Sequence, residues 1–225
     1  TSGLNVTVTL VSTGAAQEPA DYVLDDTILI AAGSLSSSIT ISARIDALDE
    51  PTEAVIIDIT TVVNGTESGV QRQTVDVNDN DDPPNVTLSV GTNSLGEDFG
   101  TTTTSVTATL SIVSAKEVTV TLSKGGTATD DTDYKLANTI VIPAAKLSGT
   151  ITLSAVIDTI DETNETVILN IGSLVNGTNI ATAQTVTIAD DDDPPTVSLA
   201  VGADSIDEDT GTTSTSVTAT LSVIS

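Results

Sequence analysis

The sequence predicts an all-β protein made of tandem antiparallel β-sandwiches, and three observations lead to this prediction. The hexapeptide DDPPNV at positions 81–86 returns as DDPPTV at positions 192–197, and the two copies stay in step to the end of the 225-residue chain. A period of about 110 residues suits a whole small domain rather than a solenoid repeat. Short apolar runs alternate with Thr and Ser, and no helical periodicity lies between them.

The composition favours a folded protein that binds cations. Six basic residues against 32 acidic ones give a formal net charge of -26, which argues against nucleic acid and anionic membranes as partners. Disorder would also suit such a charge, but 38% hydrophobic residues and a mean hydropathy of +0.20 favour folded β structure. Because Cys, His, Met and Trp are all absent, oxygen atoms remain as the available ligands.

The sequence is typical of a secreted protein. No segment approaches the roughly 18 to 20 apolar residues of a membrane span, and no charged-then-apolar leader opens the chain. We therefore expect an extracellular or cell-surface location, without membrane insertion. Small extracellular domains without disulfides often need another cross-link, and calcium suits a chain that offers oxygen ligands only.

Seven strands are predicted for the complete middle copy of the repeat. Val118, Val120 and Leu122 are expected to face inward while Thr119 and Thr121 face water, a pattern that indicates sheets with one buried face. Seven short strands in about 110 residues are typical of an immunoglobulin-like sandwich. The strands, called A to G, are expected at 86–90, 104–113, 117–123, 138–142, 149–157, 165–172 and 182–189.

The repeat divides the chain into three segments. Residues 1–82 are predicted to be a partial module with strands C to G, 83–193 a complete module, and 194–225 a partial module with strands A and B. The given sequence is therefore expected to be cut inside a module, near the connection between strands B and C. Two explanations stay open: a window of a longer tandem array, or separate chains that join head to tail by strand addition.

The acidic residues are concentrated in alternate connections of the middle module. If successive strands run in opposite directions, the A–B, C–D and E–F connections and the end of G meet at one pole of the sandwich. Calcium takes about 6 to 8 oxygens, so this pole is predicted to hold two or more ions. The alternative is that the acidic loops only keep the protein soluble. The carboxylates at this pole are Glu97, Asp98, Asp130, Asp131, Asp133, Asp158, Asp161, Glu162, Glu165 and Asp190 to Asp193.

The middle module resembles the Calx-beta domain of sodium-calcium exchangers, some integrins and many bacterial surface proteins. The motifs that carry the resemblance are Gly126-Thr127-Ala128, Asp133-Tyr134, Thr150-Ile151-Thr152-Leu153, Asp158 with Glu162 and Glu165, and Thr187-Ile188-Ala189-Asp190-Asp191-Asp192. The resemblance implies a Calx-beta type sandwich and a Ca2+ site. The ligands it implies are Glu97, Asp133, Asp158, Glu162, Glu165, Asp190, Asp191 and Asp192. Only Asp158 follows strand E, where family members with several ions usually have paired aspartates.

The partial copies carry related acidic residues. The first copy keeps Asp21, Asp46, Glu50 and Glu53, and its final cluster is weaker in charge, with Asp79 and Asp81 each preceded by an asparagine. We therefore expect a different calcium affinity there. The third copy supplies Glu208.

These observations predict a calcium-binding structural repeat of a bacterial surface stalk, adhesin or filament, in which calcium stiffens the joints between modules. Its partners are expected to be neighbouring modules of one array or identical subunits. Two alternatives stay open: an adhesion module for a carbohydrate or protein ligand, and a filament subunit that assembles by strand complementation. Catalysis is not expected, because the paired carboxylates have no aromatic platform beside them.

Overall fold

A computed structural model describes residues 2–211 and 213–223. Thr1, Thr212, Ile224 and Ser225, which the predicted modules include, lie outside these ranges. The chain divides into two compact units. Unit 1 comprises Thr1–Pro84 together with Ile112–Glu117, and unit 2 comprises Asn85–Ser111 and Val118–Ser225.

Unit 1 is built from two small sheets. A four-stranded antiparallel sheet has the order β3-β1-β5-β6, and a two-stranded sheet pairs β2 with β4. Its buried core is small, with Tyr22, Leu24 and Val55 at its centre. The strands are β1 (Val6–Gly14), β2 (Tyr22–Val23), β3 (Thr27–Ile30), β4 (Ser42–Ala43), β5 (Glu53–Val63) and β6 (Gln73–Val77).

Unit 2 is a sandwich of two five-stranded sheets, followed by a two-stranded hairpin. One sheet has the order β12-β10-β14-β16-β8 and the other β11-β13-β9-β7-β15, while β17 pairs with β18. The strands are β7 (Asn85–Val90), β8 (Ser94–Gly96), β9 (Thr103–Leu110), β10 (Val118–Gly126), β11 (Tyr134–Lys135), β12 (Thr139–Ile142), β13 (Ser148–Ala155), β14 (Glu165–Val175), β15 (Thr178–Asn179), β16 (Gln184–Ala189), β17 (Val197–Val201) and β18 (Val217–Leu221).

The core of unit 2 lies between its two sheets and is almost entirely aliphatic. Alternate side chains of β7, β9 and β10 point into it, and Val86, Val106, Val118 and Val120 have no exposed surface. Tyr134, 2% exposed, is the one aromatic side chain among the residues of this cluster. The predicted all-β sandwich is therefore confirmed, including its inward and outward alternation.

Three details differ from the prediction. Strand B ends at Leu110 instead of residue 113, and Ile112, which lies within the predicted strand, is 43% exposed. Three short strands, β8, β11 and β15, were not predicted. Two of them pair in parallel, β15 with β7 and β8 with β16, so the sheets are not purely antiparallel. The described part of the chain holds no helix of the length and apolarity that a membrane crossing takes.

Candidate metal centre

Cluster I consists of Glu97, Asp190 and Asp192, each of which offers a carboxylate oxygen within 4.8 Å of the others. Strand β8 positions Glu97. After β7 the chain crosses to the other sheet, where β8 pairs in parallel with β16. Strand β8 therefore ends beside the last residues of β16. The amide of Glu97 donates to the carbonyl of Ala189 at 3.1 Å, which brings its carboxylate next to the segment that follows β16.

Gly96 permits the tight turn that follows β8 and leads to Glu97. Its amide donates to the carbonyl of Thr101 at 2.9 Å, and a Cβ at this position would collide with the carbonyl oxygen of Phe99. The turn after β8 therefore requires glycine here. Its effect is to place Glu97 in the interior, where the residue is only 5% exposed.

Cluster II consists of Asp133, Glu162 and Glu165, again with one oxygen of each within 4.8 Å of the others. Glu165 is the first residue of β14, and Asp133 directly precedes β11. The carbonyl of Asp133 accepts a hydrogen bond from the amide of Val156 at 2.9 Å, and its carboxylate accepts one from the amide of Thr129. The C–D and E–F connections are thus held together at this end of the sandwich.

Burial and like charge raise the pKa values of several carboxyls in the two clusters. Burial is the main cause of a rise in the pKa of Glu97 to about 7, and the charges of Asp158 and Asp190 add to it. The pKa of Glu165 also rises to about 7, through burial and then a hydrogen bond with Asp133. The pKa of Glu162 rises as well, first through burial and then through Asp133. Without a cation, all three carboxyls therefore hold their protons more strongly than an ordinary glutamic acid does.

Three carboxylate oxygens in the clusters are buried without a hydrogen-bond partner. They are Oε2 of Glu165, Oδ1 of Asp190 and Oδ2 of Asp192. A buried acceptor normally has a partner, and leaving one without any costs about 1–3 kcal/mol, more if the group is charged. Unpartnered oxygens that face like charges fit a hard cation such as calcium, which would supply the missing interactions.

Two predicted ligands of unit 2 lie beside the clusters rather than in them. Oδ1 of Asp158 accepts from the amide of Ile160 at 2.8 Å, while its charge contributes to the raised pKa of both Glu97 and Glu162. Oδ1 of Asp191 accepts from the amide of Asp98 at 3.2 Å and ties the A–B connection to the end of β16. Asp158 therefore acts electrostatically on carboxyls of both clusters, and Asp191 is exposed to solvent.

The predicted ligands of unit 1 line a single cavity of about 140 Å³. Burial, and then the charge of Asp21, raises the pKa of both Glu50 and Glu53. Among the described residues, however, triplets of carboxylate oxygens within 4.8 Å of one another occur only in unit 2. The predicted ligands in the unit 1 cavity are Asp21, Asp46, Glu50, Glu53, Asp79 and Asp81. Glu208 is exposed, in the connection between β17 and β18.

A lysine contact in unit 1 was not predicted from the sequence. Nζ of Lys116 lies 2.7 Å from Oδ1 of Asp49 and 3.6 Å from Oδ2 of Asp79, which was predicted as a calcium ligand. Asp49 is only 2% exposed and also accepts from the hydroxyl of Ser114 at 2.7 Å. In the sequence, only the scarcity of basic residues pointed to a role for Lys116, which is one of six.

Replacing Asp49 by asparagine is expected to destabilise unit 1. The substitution removes the negative charge from a largely buried pair and leaves Asp79, at 3.6 Å, as the carboxylate beside the ammonium of Lys116, at a cost of about 1–3 kcal/mol. Thermal unfolding followed by circular dichroism measures the loss. Asp161→Asn, the same change one repeat later at a less buried position, is the matched control and should have little effect. Equal melting temperatures for Asp49→Asn and the wild type would contradict this role.

Comparisons with known proteins give remote structural matches. CBD12 from CALX1.2 is similar with a TM-score of 0.37 and 15% identity, over 84% of this chain and 88% of that chain. The apo-form Calx CBD1 domain gives 0.37 and 18%, over 48% of this chain and 98% of that one. The calcium binding domain CBD12 of CALX1.1 gives 0.32 and 13%, over 84% and 88%.

No family model and no curated protein matches the chain. The structural scores are too low to decide either fold or function. Both therefore rest on the strand pairing and the side chains of the chain itself.

Proposed function

We propose that this chain is a calcium-binding structural repeat of a secreted bacterial surface stalk, adhesin or extracellular filament. The observation that carries the calcium part is the set of buried, unpartnered oxygens of Glu165, Asp190 and Asp192 within two three-carboxylate clusters. A merely solubilising acidic surface has no reason to bury carboxylate oxygens away from both water and donors.

Calcium suits the donor set better than other common metals. Zinc sites in proteins usually contain His or Cys, and this chain has neither. Magnesium demands near-ideal octahedral geometry and keeps several waters, whereas calcium accepts 6 to 8 oxygens in irregular arrangements. The clusters are carried by loops and strand ends, where irregular geometry is expected. Asp158, whose charge acts on carboxyls of both clusters, is a candidate ligand for either ion.

Calcium in these clusters would stiffen the exit from the sandwich. Asp190 and Asp192 lie on the segment that follows β16 and runs into Pro194 and Pro195, whose fixed φ favours an extended path. Holding these aspartates together with Glu97 fixes the start of that path. Extracellular calcium modules have dissociation constants of about 0.1 to 1 mM, so a few millimolar calcium adds roughly 1 to 2 kcal/mol per site. This is enough to bias a joint between modules, although not to create the fold.

Hydrogen–deuterium exchange tests this role. Calcium is expected to slow amide exchange in residues 96–100, 157–165 and 189–193 by about 5- to 30-fold, which corresponds to one or two kcal/mol. Residues 143–147, in the connection between β12 and β13, carry no carboxylate and provide an internal control. Magnesium at the same concentration is expected to give much less protection. Exchange that calcium leaves unchanged, or slows equally in the control segment, would refute the stiffening role.

A further inference from the structure

Lys124, near the end of β10, holds the C–D connection of unit 2 at two points. Its Nζ donates to Oδ2 of Asp130 at 2.7 Å and to the carbonyl oxygen of Leu136 at 2.6 Å. The ammonium also lies 5.9 Å from the centre of the Tyr134 ring, within the range of a cation–π contact. Lysine is normally among the most exposed residues, yet this side chain is only 12% exposed. Its ammonium is therefore enclosed and has defined partners.

The two anchor points lie on either side of Asp133, a carboxylate of cluster II. Asp130 comes three residues before it and Leu136 three residues after it. Between them the chain forms a tight turn, in which the amide of Asp133 donates to the carbonyl of Thr129 at 2.9 Å. One ammonium on β10 thus fixes both ends of this turn relative to the sheet that also carries Glu165 of cluster II, at the start of β14.

The backbone of this turn has a less favoured conformation at Asp131. Its φ of 68° lies in the left-handed region, which residues other than glycine seldom adopt. In this conformation its amide donates to the carbonyl of Tyr134 at 2.8 Å, while the ion pair with Lys124 holds the preceding residue, Asp130. Lys124 therefore supports a conformation that the chain would otherwise tend to leave.

The lysine is not part of the repeat. Its counterpart in unit 1 is Ser12, whose hydroxyl is too short to make such contacts. The counterpart of Asp130 there is Glu18, which accepts from the amide of Leu24 at 3.0 Å. In unit 1 the carboxylate is thus held by its own loop, whereas in unit 2 it is held by a cation from the neighbouring strand.

We propose that Lys124 is a positioning residue for calcium in cluster II. Its ammonium neutralises Asp130 and holds it beside β10. Asp133 is thereby left as the carboxylate of this turn that faces cluster II. The inference rests on the calcium function proposed above and adds to it the residue that prepares one of the two clusters. Removing a group that orients metal ligands typically lowers metal affinity about 10- to 100-fold.

The sign of the effect separates positioning from simple electrostatics. A positive charge beside a cation site repels the ion, so removing a lysine that acted through its charge alone would tighten calcium binding or leave it unchanged. Losing a positioning residue weakens calcium binding instead, because the ion must then order the turn itself. Lys124→Met removes the charge and the donors but keeps an unbranched side chain against the Tyr134 ring.

Amide exchange at increasing calcium concentrations measures the affinity of each cluster separately. In Lys124→Met, the calcium concentration that half-protects residues 129–134 should rise about tenfold or more, whereas that for residues 189–193 of cluster I should change less than about threefold. Lys135→Met is the matched control, because it removes the same charge from an exposed lysine of the same connection. It should leave both concentrations unchanged or slightly lower.

Exchange in chelator tests the turn without calcium. The amides of Asp131 and Asp133 are hydrogen-bonded within the turn, so they should exchange about tenfold faster in Lys124→Met than in the wild type. Lys124→Arg keeps the charge and the donors and should restore both the slow exchange and the calcium affinity. If Lys124→Met fails to fold, Lys124→Gln, which is neutral but keeps a donor, is expected to show the same changes.

Three results would overturn the positioning role. They are calcium binding in cluster II that Lys124→Met leaves unchanged or tightens, an equal loss in both clusters, and a loss in Lys124→Arg as large as in Lys124→Met. Any of these in a protein whose wild type gains protection from calcium would leave the proposed function in place. A wild type that gains no protection would refute the proposed function and, with it, the calcium role of Lys124.

Discussion

Replacing Glu97 by glutamine is expected to raise the melting temperature of the calcium-free protein and to reduce the stabilisation that calcium provides. Glu97 is 5% exposed, and burial with the neighbouring carboxylates raises its pKa to about 7. Glutamine keeps the shape and removes the charge, which relieves a penalty of about 1–3 kcal/mol. Each kcal/mol corresponds to roughly 2–8 °C in melting temperature, depending on the size of the unfolding unit.

A metal ligand is distinguished from a structural residue by two opposite effects of Glu97→Gln: a higher melting temperature without calcium, and a smaller stabilisation by calcium. With calcium, the variant lacks one charged ligand and is expected to bind at least about tenfold more weakly, which corresponds to 1.4 kcal/mol. Calorimetric melts with chelator and with calcium measure both effects. Glu208→Gln, the same change one repeat later, is the control, because Glu208 is exposed and belongs to neither cluster. A lower melting temperature for Glu97→Gln in chelator would contradict the account.

Without calcium, the stability of unit 2 is expected to fall as the pH rises from about 4.5 to about 7. Glu97 and Glu165 have pKa values of about 7 in the folded chain, against an ordinary value of 4.5. Between these values the folded state binds protons that the unfolded state has lost, so folding is favoured at low pH and this contribution disappears above pH 7. The slope is at most about 1.4 kcal/mol per pH unit for each proton.

Calcium is expected to remove this pH dependence. The ion takes the place of the protons, and its affinity rises as the ligands lose them, so stability with saturating calcium should stay level or increase with pH. Chemical denaturation at several pH values measures both slopes. Because general charge repulsion also weakens the folded state at high pH, the double variant Glu97→Gln with Glu165→Gln is needed as a control. A slope as steep in the double variant as in the wild type would assign the effect to general repulsion.

The strands that sequence alone predicts best are those with a strict two-residue alternation. Strand β10 carries Val118, Val120 and Leu122 on its buried face, as its pattern indicates. Strand β8 was missed because it has three residues and pairs only through its neighbour β16. Ile112 continues the alternation of β9 and is nevertheless 43% exposed, because the ladder with β7 ends at Leu110. Periodicity thus identifies the face of a strand, whereas its end depends on the partner strand.

The candidate site was likewise predictable from the sequence only in part. The alternation of acidic connections indicated which loops meet, and the structure brings six of the predicted carboxylates together in clusters I and II. The division into two clusters depends on the turn at Gly96 and on the start of β14, which no local pattern reveals. The contact of Lys116 with Asp49 could not be predicted, because these residues lie far apart in sequence. Long-range pairing, rather than composition, decides which carboxylates come together.

Isothermal titration calorimetry of the chelator-treated chain with calcium tests the central claim most directly. The account predicts saturable binding of at least one ion to unit 2, with a dissociation constant of about 1 mM or tighter. It also predicts proton release at neutral pH, and loss of this binding in the double variant Glu97→Gln with Glu165→Gln. No saturable calcium binding by the wild-type chain, or binding that the double variant retains in full, would contradict it.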